Sequence, residues 1–225
     1  MDKNLNELLK WSIQNQTPAQ DGDGTAAAAA AAAPTGPAGN TLSPEALAAL
    51  FGGGPSDAEL MKASMDTVTS TDPEITLESK LVAFDNFEQL IESLDNANNM
   101  AKLALWTPLL GCLAHEEQDI RRMAAWCVGT AVQNNEPSQE RLLAMGDAGI
   151  PALVSLATGD GEDQAVRRKA VYALSSAVRN YQPAMDVLTA DLAKKGVRES
   201  GKVDAVNMDE VDKVMDDLKA KIPKA

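Results

Sequence analysis

One stretch of this chain is written twice. Residues 120–137 (IRRMAAWCVGTAVQNNEP) align without gaps on residues 166–183 (VRRKAVYALSSAVRNYQP), and seven of the 18 positions are identical. The other positions largely exchange like for like, Trp126 for Tyr172 and Val128 for Leu174. An offset of 46 residues, with an apolar helical stripe in each copy, predicts an all-α helical solenoid of the armadillo or HEAT type. One such unit cannot bury its own apolar face, so neighbouring units must stack.

Three units can be traced. Leu77, Leu81, Phe84, Phe87, Leu90, Ile91 and Leu94 keep helical spacing through 77–94, and 95–99 is a polar helix end. With the capping box at 56–59, this makes 56–96 a degenerate first repeat that also closes the array. The second unit leads from Trp106 into a long helix over 120–134, and the third leads from Pro137 into the matching helix over 166–180. Pro183 opens one more helix, ending near Lys195-Gly196. A last amphipathic helix carries Val211, Val214, Met215, Leu218 and Ile222 on one face and covers the open end.

The N-terminal quarter has a different composition. Leu5, Leu8, Leu9 and Ile13 share a helical stripe with Trp11 near its edge, in a segment too short to be a stable helix alone. Residues 17–41 are rich in Ala, Gly, Pro, Thr and Asp and cannot bury a core. Ser43-Pro44-Glu45 starts a short helix that Gly52-Gly53-Gly54 stops. The organisation expected is an amphipathic segment over 1–16, a low-complexity linker with a short helix over 17–55, a repeat domain over 56–200 and a C-terminal amphipathic helix over 201–225.

Chemistry is scarce. The single histidine, His115, lies in a polar turn, so neither a zinc site nor a Ser–His–Asp constellation can be assembled around it. Gly52–Gly54 follow no strand and precede no Lys-Ser or Lys-Thr, which makes them a helix stop rather than a phosphate loop. Asp209, Glu210, Asp212, Asp216 and Asp217 are interleaved with lysines as on a solvated face. The expectation is no enzyme, no metal and no cofactor. A formal charge of −13 argues against nucleic acid. No run is long and apolar enough to cross a bilayer, and no secretory leader is recognisable. Cys112 and Cys127 fall on apolar faces as buried thiols, consistent with a reducing, cytosolic setting.

Two features leave alternatives open. Arg121-Arg122 and Arg167-Arg168-Lys169 begin the long helices, where cations oppose the helix dipole. Either the acidic turns before them offset the charge, or one arginine of each pair faces a groove. Trp126 and Tyr172 belong either to the core or to that groove. In peptide-carrying armadillo proteins the corresponding helix reads Trp-Ala-Leu-Ser-Asn. Here Thr130 and Ser176 replace the asparagine and lack its paired amide donor and acceptor, which favours a globular partner over an extended peptide.

Six blocks in order carry a resemblance. They are 8–13 (LLKWSI), 50–55 (LFGGGP), 80–88 (KLVAFDNFE), 94–99 (LDNANN), 129–135 (GTAVQNN) and 172–175 (YALS). Together they resemble the fungal Fes-type proteins, armadillo nucleotide exchange factors for the seventy-kilodalton heat-shock chaperones. Longer relatives continue with further repeats, whereas here the array gives way after Tyr181 to a lysine- and acid-rich tail. The resemblance implies a monomer that wraps one lobe of the chaperone's ATPase domain and favours ADP release. It also implies that Leu5, Leu8, Leu9, Trp11 and Ile13 form a release segment that competes for the chaperone's substrate cleft. The partner-binding residues expected are Asp95, Asn96, Ala97 and Asn98 in the first unit and Arg122, Trp126, Thr130, Gln133 and Asn134 in the second. Arg168, Tyr172, Ser176, Arg179 and Asn180 continue the surface in the third. The rival from another class is an armadillo scaffold or adaptor without effect on nucleotide.

Overall fold

Among the described residues, Ser56 starts the first helix with chemistry its own tetrapeptide supplies. The computed structural model describes residues 54–199 and 201–222, which are helical with no strand. Helix α1 (Asp57–Thr69) begins where Ser56 Oγ accepts the Glu59 N–H and the Glu59 carboxylate accepts the Ser56 N–H. This reciprocal pair satisfies two backbone donors that a helix start leaves orphaned. Helix α2 (Leu77–Ile91) is capped by Thr76 in the same spirit.

The predicted 77–94 helix and its polar end are in fact two helices. Glu92 ends α2, Ser93 is extended, and a short α3 (Leu94–Asn99) follows. Asn96 supplies the reason: its amide donates to the Leu90 carbonyl at 2.9 Å and to the Asp57 carboxylate at 2.8 Å. A side chain satisfies a carbonyl near the end of α2, so the backbone is released to turn.

Next come α4 (Trp106–Gly111), continued by a 3-10 turn, and the long α5 (Gln118–Val132). Helices α6 (Glu136–Ala144), α7 (Ile150–Thr158), α8 (Gln164–Val178), α9 (Gln182–Lys194) and α10 (Met208–Ala220) complete the order. The duplicated sequence builds one turn twice. Asn134 and Asn180 take positive φ (51° and 59°) just past α5 and α8. The next residues, Asn135 and Tyr181, have φ of −133° and −131°, and a proline follows in the first turn of α6 and α9. Asparagine adopts the left-handed conformation at modest cost, and proline suits a helix start, so each copy reverses direction identically.

Helix α5 packs against α2 on one side and α8 on the other, and α8 in turn packs against α10. The long helices therefore form one layer, with α7 and α9 packed together behind α8. Phe84, Phe87, Trp106, Ile120, Leu153 and Leu174 fill the space within it, each at most 2% exposed. Val211, Val214, Met215 and Leu218 bury the inner face of α10, and Ile222 follows them. Each is worth about 1.5–3 kcal/mol relative to an exposed position. The compact unit starts at Ser56 and includes α10, so the tail predicted to cover the array's end is part of the same body.

Candidate partner-binding face

The doubled arginines divide their labour by repeat position. Arg121 grips Glu162 with two hydrogen bonds, at 2.8 and 2.7 Å, and donates to the His115 and Glu116 carbonyls at 2.6 and 2.7 Å. Its guanidinium pKa is raised, first by the hydrogen bond to Glu162. Arg167, its counterpart, is buried and donates to the Ala157 carbonyl at 3.0 Å and to the Lys221 carbonyl at 2.9 Å. Arg121 thus ties α5 to the turns that precede α5 and α8, and Arg167 ties α8 to the end of α7 and the end of α10. Arg122 and Arg168 are left for the surface. Arg122 is half-buried and pairs with Asp119 at 3.1 Å. Arg168 is exposed and has no ion pair among the described residues.

Between these two arginines the aromatic residues lie half-buried, which resolves the choice between core and groove in favour of neither extreme. Lys169 sits over the Trp126 ring, its Nζ 3.6 Å from the centroid, and 5.7 Å from that of Tyr172. Burial lowers the Lys169 pKa, Arg122 adds to the effect, and Glu88 opposes it. The Tyr172 ring packs on Gly129, where a Cβ would come within 2.5 Å of it, and the hydroxyl donates to Gln133 Oε1 at 3.0 Å. Thr130 donates to the buried Glu88 carboxylate at 2.7 Å. A continuous polar and aromatic strip therefore crosses α2, α5 and α8.

Lys169 and Glu88 were not anticipated as members of this strip. The sequence signal existed: Lys169 stands three residues before Tyr172, on the same helical face. What sequence could not supply was the lateral spacing of α5 and α8 that brings it over Trp126.

Other expected surface residues have different surroundings. Asp95 and Asn98 are exposed, but Asn96 is buried by the two hydrogen bonds that end α2, and Ala97 is 1% exposed. Asn98 borders a shallow hollow of about 340 Å³ shared with α4 and α6. Ser176 is buried, and its carbonyl accepts from Gln139 at 2.9 Å. Asn134 and Asn180 are exposed, and their left-handed backbones end α5 and α8. Arg179 is engaged by α10: it donates to Met208 Sδ at 3.2 Å and contacts the Asp212 carboxylate. Leu5, Leu8, Leu9, Trp11 and Ile13 lie outside the described residues.

Both thiols are interior. Burial pushes Cys112 up to about 11 and Cys127 well above its ordinary value. Among the described residues no group of three or more His, Cys, Asp or Glu is placed to hold a metal ion. No described helix is long and apolar enough to cross a membrane.

A stack of paired helices with an aromatic and cationic strip along its long helices defines a helical-repeat binding protein. Residues 5–100 match the family described as nucleotide exchange factor Fes1. A protein of Gibberella zeae named Hsp70 nucleotide exchange factor FES1 is 61% identical over all of this chain and 99% of its own length. The Neurospora crassa protein named Hsp70 nucleotide exchange factor fes-1 is 55% identical over the whole of both chains. A longer relative from Eremothecium gossypii, also named Hsp70 nucleotide exchange factor FES1, is 46% identical over 70% of this chain and 49% of its own. The chain belongs to the Fes1 family of nucleotide exchange factors.

Proposed function

We propose that this chain binds the ATPase domain of an Hsp70 chaperone along the α2–α5–α8 strip and promotes release of ADP. The observation that carries the reading is 61% identity, over essentially the whole of both chains, to a protein named for that activity. A binding face without a catalytic constellation agrees with it, because exchange needs only differential affinity. ADP bridges the two lobes of its domain, and a protein that fits only the loosened lobe lowers nucleotide affinity. Nucleotide lowers the factor's affinity by the same factor. A coupling of about 1–3 kcal/mol corresponds to a 5- to 150-fold effect on nucleotide affinity.

Within this reading Arg122, Trp126, Thr130, Gln133, Arg168 and Tyr172 face the chaperone, with Asp95 and Asn98 at the first unit's edge. The segment over 1–16 acts as the release element that keeps freed substrate from rebinding. A tether of about 25 residues would reach roughly 25–30 Å as a flexible coil, enough to raise the local concentration at a neighbouring cleft. The protein works as a cytosolic monomer and performs no catalysis of its own.

Stopped-flow release of a fluorescent ADP from the chaperone, with and without this protein, is the test. Faster release supports the exchange factor. Binding without faster release makes the chain an adaptor.

A further inference from the structure

A hollow stays open between α8 and the helix packed beyond it. Gly129 is the position on α5 over which the Tyr172 ring of the next long helix lies. Its counterpart 46 residues on is Ser175 of α8. The helix packed beyond α8 is α10, which presents Ala220 and Lys219 rather than an aromatic residue. The result is a hollow of about 550 Å³ lined by Arg168, Val171, Tyr172, Ser175, Lys219 and Ile222, with Ala220 at its edge. Val171 and Ile222 make its floor apolar, and the Tyr172 ring forms a wall.

The charges around this hollow are mainly positive. Arg168 has no carboxylate partner among the described residues, and Lys219 shares its charge only with the exposed Asp216 at 3.0 Å. Lys169, beside Arg168 in sequence, is held on the Trp126 and Tyr172 rings. Arg122 on α5 adds charge partly offset by Asp119. Both charged residues that line the hollow, Arg168 and Lys219, are cations on a chain of net charge −13, at the end of the proposed binding strip. We infer that the α8–α10 hollow is a docking socket for an aromatic side chain flanked by a carboxylate on the chaperone's ATPase domain. The ring enters the hollow against Val171, Ile222 and the Tyr172 ring, and the carboxylate meets Arg168. Aromatic anchors in desolvated pockets dominate interface energies, and the flanking charge chiefly sets association rate and orientation.

This inference rests on the reading of the chain as an Hsp70 exchange factor. Two variants test it against the chaperone's ATPase domain. Ala220→Trp fills the hollow from an exposed position, and Arg168→Glu reverses the exposed charge, so both are compatible with the fold and thermal melts would verify this. Each is expected to weaken binding about tenfold or more, and the double variant little beyond the worse single one, because both act on one contact. Arg168→Glu should also flatten the fall of association rate with salt. If wild type accelerates ADP release and Ala220→Trp, which lies outside the strip, binds within about twofold of it, the socket is overturned while the exchange reading stands. If wild type neither binds nor accelerates release, both fall together.

Discussion

Replacing Gly129 by alanine should destabilise this protein, although alanine is the better helix former. Gly129 lies inside α5, where the exchange alone would stabilise by roughly 0.8–1 kcal/mol. The new methyl would stand 2.5 and 2.6 Å from two atoms of the Tyr172 ring and 3.1 Å from the Ala173 Cα. Two responses are open. If α8 moves away, the tightest helix pair in the layer loosens, at the cost of about 1–3 kcal/mol typical of overpacking. If the ring swings out, the hydrogen bond to Gln133 and the stacking with Lys169 are lost, at a comparable cost. Subtracting the propensity gain leaves a net loss of up to about 2 kcal/mol, or a melting temperature lower by up to roughly 8 °C for a domain of this size. Gly111 is the internal control. It also lies within a helix, has nothing within 4 Å of its would-be Cβ, and should gain about 0.5–1 kcal/mol as alanine. Circular dichroism melts of the two variants at matched concentration would read the contrast. A Gly129→Ala variant as stable as Gly111→Ala would refute the close approach of α5 and α8.

Ala97→Arg should cost about 3 kcal/mol or more, because it places a long cation in a position with no exposed surface. An unchanged melt would put Ala97 on the surface after all. Arg121→Gln should shift the urea midpoint by an amount equivalent to about 2–3 kcal/mol, whereas Arg122→Gln should change it by less than about 0.5 kcal/mol. The reverse order would contradict the division of labour between the paired arginines. Cys112, with its pKa raised from 9.0 to about 11, should react with iodoacetamide at pH 8 about a hundredfold more slowly than an ordinary thiol. The folded state keeps that proton after the unfolded chain has lost it, so the associated stability is complete below about pH 9. It declines as pH rises toward 11, which unfolding midpoints across that window would register.

Much of the scaffold was legible in the residues because it is local and repeated. The Asn–X–X–Pro turn after each long helix, the capping box at Ser56 and the apolar stripe of α10 are all short-range chemistry. Helices predicted over 120–134 and 166–180 occur at Gln118–Val132 and Gln164–Val178. The break between α2 and α3 was not legible, since it depends on Asn96 reaching Asp57, 39 residues away. The candidate strip was half legible. The residues expected on it included Trp126 and Tyr172, which lie half-buried there, but also Ala97 and Ser176, which are buried.

The long helices, the cap at Ser56 and the apolar face of α10 were therefore determined by sequence alone, because hydrogen bonds within a few residues and a periodic apolar face specify them. Only the tertiary structure decided which arginine of each pair is structural, that Lys169 lies on Trp126, and that a hollow stays open between α8 and α10. Those outcomes depend on the lateral distance between helices some forty residues apart in sequence. That distance is set by what fills the space between them, and no local pattern contains it.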